Sequence, residues 1–382
     1  MRGHRPFPIV LLAGLLLGGC VAASGGNDLA LDRKGRVLPL DLAGGYARPW
    51  QVYLLKDGAP ATLENPDRAA DPSYVTAALY PAGMPDLAVR LANGGAGGAG
   101  LVEVLAHAYL EEQTVRGEDS DFAIAWYLTD TTYSLQALQH GVVDIAITYN
   151  RARELPLLAE GTAQHRQLAF MDHFMLVGPD TNPAGIAAEA TTAQALAAII
   201  DRGCAAPFSG TPRADCAYFL SRDDLSATQI KECELFDHVI GEADRFARYH
   251  DRAYAKDPGA AWYVLCPQTP VACFPAEALR RTSEDGFYTL TDWGTWLANA
   301  DAQHAHPDLA VYVTGLDPAG QPLLLNPAAA LLSRAATPQA TAFFEWLLAD
   351  EGGQAVIRRY GQTRFGAPLY VPAADVPDRG NF

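Results

Sequence analysis

Three short stretches combine side chains and backbone suited to holding a small anion. They are Asn93-Gly94-Gly95-Ala96-Gly97-Gly98-Ala99-Gly100, Thr129-Asp130-Thr131-Thr132 and Ser221-Arg222-Asp223-Asp224-Leu225-Ser226-Ala227-Thr228. Each follows an apolar run and precedes a helix-like one. A helix start leaves its first N–H groups unpaired and carries partial positive charge. Small residues let a ligand approach that backbone, and Ser and Thr hydroxyls add neutral donors. No proline removes an N–H from any of the three, and Arg222 supplies the full positive charge among them. A single such loop is most often an N-cap. Three of them, one with an arginine, are more specific.

Other chemistry is harder to support. Gly95-x-Gly97-x-x-Gly100 satisfies a dinucleotide fingerprint on local pattern. The acidic partner that should lie about 20 residues on is offered only by Asp130, well beyond that spacing. Leu101-Val102 stand where a Walker loop needs Lys-Ser/Thr, and no Gly-x-Ser-x-Gly, His-Glu-x-x-His or Cys-x-x-Cys occurs. No catalytic residue, metal ligand or cofactor is therefore assigned, and the chain reads as a non-enzyme. Asp172-His173, at the start of an apolar run, reads as structural. Tyr149 and Trp262 are aromatic candidates for lining a cleft, although aromatics in strands are usually core.

The elements that must position these loops alternate. Leu87–Ala92, about Phe122–Tyr127 and Val143–Thr148 read as buried strands, separated by helix-like runs from Leu101 to Gln113 and from Thr132 to about His140. Strand–helix–strand–helix–strand builds a parallel sheet with right-handed crossovers, and its loops share one carboxyl edge where ligands bind. Phe174–Pro179 is a further strand stopped by Gly-Pro. It is followed by a helix over Thr192–Asp201, a strand over Ala217–Leu220 and a helix from about Ser226 to Phe236. Leu323–Pro327 reads as a strand, and Thr341–Leu348 and Gly352–Tyr360 as helices.

The chain has 382 residues and a net charge of −16. Such acidity argues against nucleic-acid binding and against a polybasic membrane contact. At the N-terminus, Arg2 and Arg5 precede an apolar run from Phe7 to about Gly19, shorter than the ~20 residues of a bilayer span, which is the pattern of a signal peptide. Two endings fit: a small-residue cleavage site at Val21-Ala22-Ala23, or a lipobox, Leu17-Gly18-Gly19-Cys20, with Cys20 lipidated. We favour the second. Either exports the chain to the periplasm or beyond, touching a membrane only through the lipid. In an oxidising compartment the short spacings pair Cys204 with Cys216 and Cys266 with Cys273, leaving Cys233 over.

At this point a resemblance becomes specific. Asn93–Gly100, Asp172–Pro179 with Asn182-Pro183-Ala184-Gly185-Ile186, Phe219–Glu234, Tyr288–Leu297 and Asn326-Pro327 resemble the periplasmic-binding-protein family typified by the tungstate-binding component of ABC transporters. Its secreted fungal binding-protein-like relatives look closer still. Leu220-Ser221-Arg222-Asp223-Asp224-x-Ser226-Ala227-Thr228-x-x-Lys231-Glu232 is the most diagnostic stretch. Gly366-x-Pro368-Leu369-Tyr370-Val371-Pro372 matches the family's ending.

The resemblance implies an α/β, two-lobed type II binding protein, each lobe a mainly parallel sheet flanked by helices. Residues 1–23 would be signal peptide and 24–86 an N-terminal extension. Lobe one would be 87–178 plus 323–372, lobe two 179–322, and 373–382 a polar tail. An oxyanion such as tungstate or molybdate would sit between the lobes for delivery to an ABC permease. Its ligands would be the backbone of Asn93, Gly94, Gly95, Ala96, Gly97 and Gly98, and the side chains of Thr131, Thr132, Ser221, Arg222, Ser226 and Thr228. Asp223 or Asp224 would hold Arg222. This chain departs from the family where glycines replace a Thr/Ser-rich first loop and Trp293 replaces a common arginine. Two alternatives stand beside the transport reading: a secreted binding-protein-like domain with a changed ligand, acting as sensor or interaction protein, and, more remotely, an exported enzyme using the glycine loop.

Overall fold

A computed structural model describes residues 29–31, 37–39, 51–64, 85–223, 226–241, 261–267, 273–300, 306–315, 322–377 and 382. The signal-peptide expectation with Cys20, and Asp224, lie outside them.

The expected alternation forms two sheets. After a small hairpin of β1 (Leu29–Leu31) and β2 (Val37–Pro39), a second hairpin, β3 (Gln51–Lys56) and β4 (Ala59–Glu64), lies within the stretch read as an N-terminal extension. β3 pairs with β6 and so extends the first sheet at its edge. Its buried Val52, Tyr53 and Leu54 explain why that stretch alternates apolar residues at all.

The first lobe then follows in order: β5 (Asp86–Asn93), α1 (Gly95–Gly98), α2 (Leu101–Arg116), β6 (Phe122–Leu128), α3 (Thr131–Gln139), β7 (Ile145–Thr148) and α4 (Arg151–Ala159). β5 is parallel to both β6 and β7. A central parallel strand is covered on both faces, which is why Val89–Ala92 is buried without alternation. Arg90, the charge inside that run, is matched across the sheet by Asp144, with Nε 3.1 Å from Oδ2.

β8 (Ala163–Pro179) is far longer than the Phe174–Pro179 segment legible in the sequence, because one strand serves both sheets. Up to His173 it pairs with β13 (Leu325–Ser333). From Phe174 onward it pairs with β11 (Thr289–Asp292) and β12 (Leu309–Thr314). The second sheet is completed by β9 (Phe219–Ser221) and the parallel β10 (Tyr263–Leu265), with β9 bridged to Tyr288 beside β11. Around it lie α5 (Thr192–Asp201), α6 (Ala227–Ile240), α7 (Pro275–Asp285) and α8 (Trp293–Ala298). The chain returns through β13 to α9 (Pro338–Leu348) and α10 (Gly353–Arg359), which cover the first sheet.

Two hydrophobic cores serve the sheets, the first running on to Leu279 of α7 and Trp296 of α8. Leu91, Leu105, Phe170 and Phe343 belong to one, and Phe174, Leu196, Phe219 and Phe236 to the other. Two crossing segments join them, and they run side by side: the Phe174 N–H donates to the Leu324 carbonyl at 2.7 Å. Both expected disulfides are present, Cys204–Cys216 and Cys266–Cys273, and Cys233 is a buried free thiol. Among the described residues, no helix is long and apolar enough to cross a membrane.

Candidate functional site

A cavity of about 200 Å³ lies where the two sheets meet. From the first lobe it is lined by Gly94, Gly95 and Gly98 after β5, by Thr129, Asp130 and Thr131 after β6, and by Tyr149 after β7. Arg222 after β9, Ser226, Ala227 and Thr228 at the start of α6, and Phe274 at the start of α7 face it from the second lobe. Asp172 and Phe174 of β8 and Asn326 of β13 come from the crossing strands. All three sequence-predicted loops therefore reach one cavity, at the carboxyl ends of parallel strands.

The glycine stretch is a helical turn rather than an open loop. Asn93 Oδ1 accepts the Gly97 N–H at 2.7 Å, and the Gly94 carbonyl accepts that of Gly98 at 2.9 Å. Those two donors are engaged within the turn, and Ala96 and Gly97 do not line the cavity. A side-chain amide at the end of β5 offers the backbone a local partner, and the small residues close around it. Asn93 is itself fully buried, donating from Nδ2 to the Ile147 carbonyl at 2.9 Å, so it positions the turn from behind. Trp126 donates its indole N–H to the Asn93 carbonyl at 3.0 Å. Its ring lies so close over Gly97 that a Cβ there would clash.

α3 begins on Asp130, whose Oδ1 accepts the Tyr133 N–H at 3.0 Å. The carboxyl thus caps the helix. Thr131 is buried, and its Oγ1 has no hydrogen-bond partner among the described residues. Thr132, a helical step further round, is not brought to the cavity: Arg153 Nη1 donates to its hydroxyl at 2.7 Å on the surface.

Arg222 is 6% exposed. Its Nε donates to the Cys273 carbonyl at 3.1 Å and its Nη1 to Thr228 Oγ1 at 3.3 Å. The Cys266–Cys273 disulfide fixes that carbonyl, and the Cys266 N–H donates back to the Ser221 carbonyl at 2.9 Å. Ser226 caps α6 by accepting the Gln229 N–H at 3.3 Å. The Ser221 side chain faces away from the cavity, bonded to Glu232, which also accepts the Tyr263 hydroxyl at 2.8 Å. Nor does Trp262 reach the cavity. It packs on Phe236, ring centres 5.3 Å apart, in the second lobe's core.

Of the three acidic groups of the cavity, sequence reasoning placed Asp130 and missed Asp172 and Asp292. Asp292 caps α8, with Oδ1 accepting the Thr295 N–H at 2.8 Å and Oδ2 the Thr295 hydroxyl at 2.6 Å. Asp172, read as structural, lines the cavity, accepts the His173 N–H at 2.7 Å and stands opposite Asn326 in register. Burial, and then the neighbouring Asp292, push the Asp172 carboxyl well above the usual carboxylate range. Burial likewise lowers His173. The available signal was a carboxyl inside the apolar run Phe170–Val177, since an acid almost never sits there without a reason. Trp293 turns outward from the cavity, stacked on His173 with ring centres 5.8 Å apart.

Two lobes sharing a long crossing strand, with a cavity at the carboxyl ends of both sheets, define the two-lobed binding-protein fold. The chain belongs to the PBP superfamily: the family model described as a PBP superfamily domain matches residues 96–351. A crystal structure described as a periplasmic putative metal binding protein is 33% identical over 75% of this chain and 96% of its own, with a TM-score of 0.62. The tungstate-binding protein TupA of Peptoclostridium acidaminophilum is 26% identical over 64% of this chain and 73% of its own. A Haloferax volcanii protein named "Putative ABC transporter anion-binding protein" is 27% identical over 64% of this chain, and the match spans 61% of that relative's length. These relatives are binding proteins by name.

Proposed function

We propose that this protein is an exported solute-binding protein that captures a small oxyanion, of the tungstate or molybdate kind, between its lobes and presents it to an ABC permease. One observation carries the reading. The N-termini of α3 and α6 face the same cavity from opposite lobes, with Arg222 beside one and the unpartnered Thr131 hydroxyl on the other. Helix N-termini favour anions. An arginine adds charge-assisted hydrogen bonds worth ~1.5–3 kcal/mol each. The names of the Haloferax and Peptoclostridium relatives support the same ligand class.

Arg222 meets the anion with its direction set by the Cys273 carbonyl. Thr131, Ser226, Thr228 and the Gly94–Gly95 backbone complete the cage, and the crossing strands serve as the hinge on which the lobes close. Neutral donors discriminate little by charge, so cavity size sorts the larger oxyanions from sulfate and phosphate. Calorimetric titration with tungstate, molybdate, sulfate and phosphate tests this: saturable binding of at least one, lost in Arg222→Ala, is expected, and no heat with any of the four overturns it.

A second reading, a binding-protein-like domain with a changed ligand, draws on Asp130, Asp172 and Asp292 around the cavity and on the metal-binding description of the 33%-identical relative. Among the described residues, no three His, Cys, Asp or Glu side chains are grouped as metal ligands. A divalent cation in the same titration separates the two.

A further inference from the structure

Three carboxyl groups line the cavity that is to receive an anion; Asp130 is turned to cap α3, and the other two are buried. Asp172 is 3% exposed and Asp292 7%. Both oxygens of Asp292 already accept from Thr295. Around Asp172 stand His173 on its own strand, Asn326 across on β13, Asp292 at the end of β11, Tyr149 after β7 and Tyr370 from the C-terminal segment. Arg222 and Asp130 line the same cavity. Arg222 is hydrogen-bonded into the second lobe, to the Cys273 carbonyl and the Thr228 hydroxyl, and among the described residues Asp172 forms no ion pair. If Asp172 ionised, its charge would stand beside Asp292 and the incoming anion in one desolvated space, where like charges repel strongly. A neutral carboxylic acid instead offers an O–H donor and removes the repulsion.

We propose that Asp172 contacts the bound oxyanion as a neutral acid, donating its own O–H, so that capture of the anion is coupled to a proton. The proposal rests on the oxyanion reading of the cavity and adds a residue and a linkage to it. The direction of the Asp172 shift agrees, burial being its larger cause and Asp292 the second. Tyr149 and Tyr370 are likewise held in their protonated forms by burial.

The test is calorimetry of the full chain with sulfate, molybdate and tungstate, which keep one charge state from about pH 6.5 to 9, a span that runs upward from the ordinary histidine value. Measurements in buffers of different ionisation heat count the protons taken up. Wild-type affinity is expected to fall with rising pH, by about tenfold per pH unit once the acid ionises, because only the protonated fraction is competent. Asp172→Asn, whose amide is a permanent neutral donor, should bind with a flat pH profile. Asp292→Asn should bring the wild-type loss to lower pH, because without the neighbouring carboxylate Asp172 gives up its proton more readily. If wild-type binding is independent of pH and takes up no proton, or if Asp172→Asn keeps the wild-type slope, the proposal falls. The wild-type data and Asp292→Asn decide it even if Asp172→Asn does not fold. Failure of wild type to bind any of the three anions at any pH overturns the oxyanion reading as well, so the two failures are distinguishable.

Discussion

Asn93 accepts the Gly97 N–H at 2.7 Å while donating to the Ile147 carbonyl at 2.9 Å, tying the glycine turn to the neighbouring strand. One buried amide thereby fixes where the Gly94–Gly95 backbone meets the cavity. Asn93→Ala leaves a buried N–H and a buried carbonyl unpaired, each costing ~1–3 kcal/mol. Urea denaturation should show a loss of about 2–6 kcal/mol for the two groups together, and anion affinity should fall with it.

The same turn makes contrasting demands on adjacent glycines. A Cβ at Gly97 would enter the Trp126 ring, whereas one at Gly98 meets nothing within 4 Å. Gly97→Ala should destabilise by ~1–3 kcal/mol, the usual cost of overpacking. Gly98→Ala should stay within ~0.5 kcal/mol of wild type or gain slightly in stability. Equal midpoints in thermal melts of the two variants would contradict this placement of Trp126.

Thr131 carries a buried hydroxyl with no partner among the described residues. Thr131→Val keeps the shape and removes the donor. Stability should hold or rise slightly, because an unsatisfied polar atom is removed. Anion affinity should drop about tenfold, the worth of one neutral hydrogen bond. Thr132→Val, on the outside with Arg153, should leave affinity unchanged.

Stability should also record the Asp172 proton. The folded chain binds that proton more tightly than the unfolded chain, where the group titrates near its ordinary value of 3.8. This contribution is full below that value and is lost as pH rises toward the folded one. His173 acts in the opposite sense. Its value is lowered from 6.5, so its contribution is full above 6.5 and is lost as pH falls through the folded value. Asp172→Asn should remove the downward slope above about pH 4 and leave the histidine slope intact, as measured by denaturation at a series of pH values.

Much of the architecture was legible because its signals are local. Buried parallel strands read as continuous apolar runs, and the α5 helix over Thr192–Asp201 announces itself through the Thr191–Gln194 capping box. Short cysteine spacings indicated both disulfides. What escaped depends on partners distant in sequence. The first half of β8 contains Gln164, His165, Arg166 and Gln167, too polar to read as strand, yet it is held by β13 more than 150 residues on. Ser221 and Thr132 look like donors from their loops, but side-chain direction is set by Glu232 and Arg153. Asp172 looks like a strand-start acid until Asp292 is brought to the same cavity by a different strand. A close Trp126 ring and the Asn93 amide turn the glycine stretch from an open loop into a helical turn, and neither is visible in the glycines themselves.

The central claim is that an oxyanion sits between Thr131 and Arg222. A crystal structure grown with tungstate, read by the anomalous signal of tungsten, tests it most directly. The account predicts one strong peak within hydrogen-bonding reach of both side chains, absent from Arg222→Ala crystals grown the same way. An empty cavity in crystals saturated with tungstate, molybdate, sulfate and phosphate in turn, or a peak seated elsewhere on the protein, would contradict it.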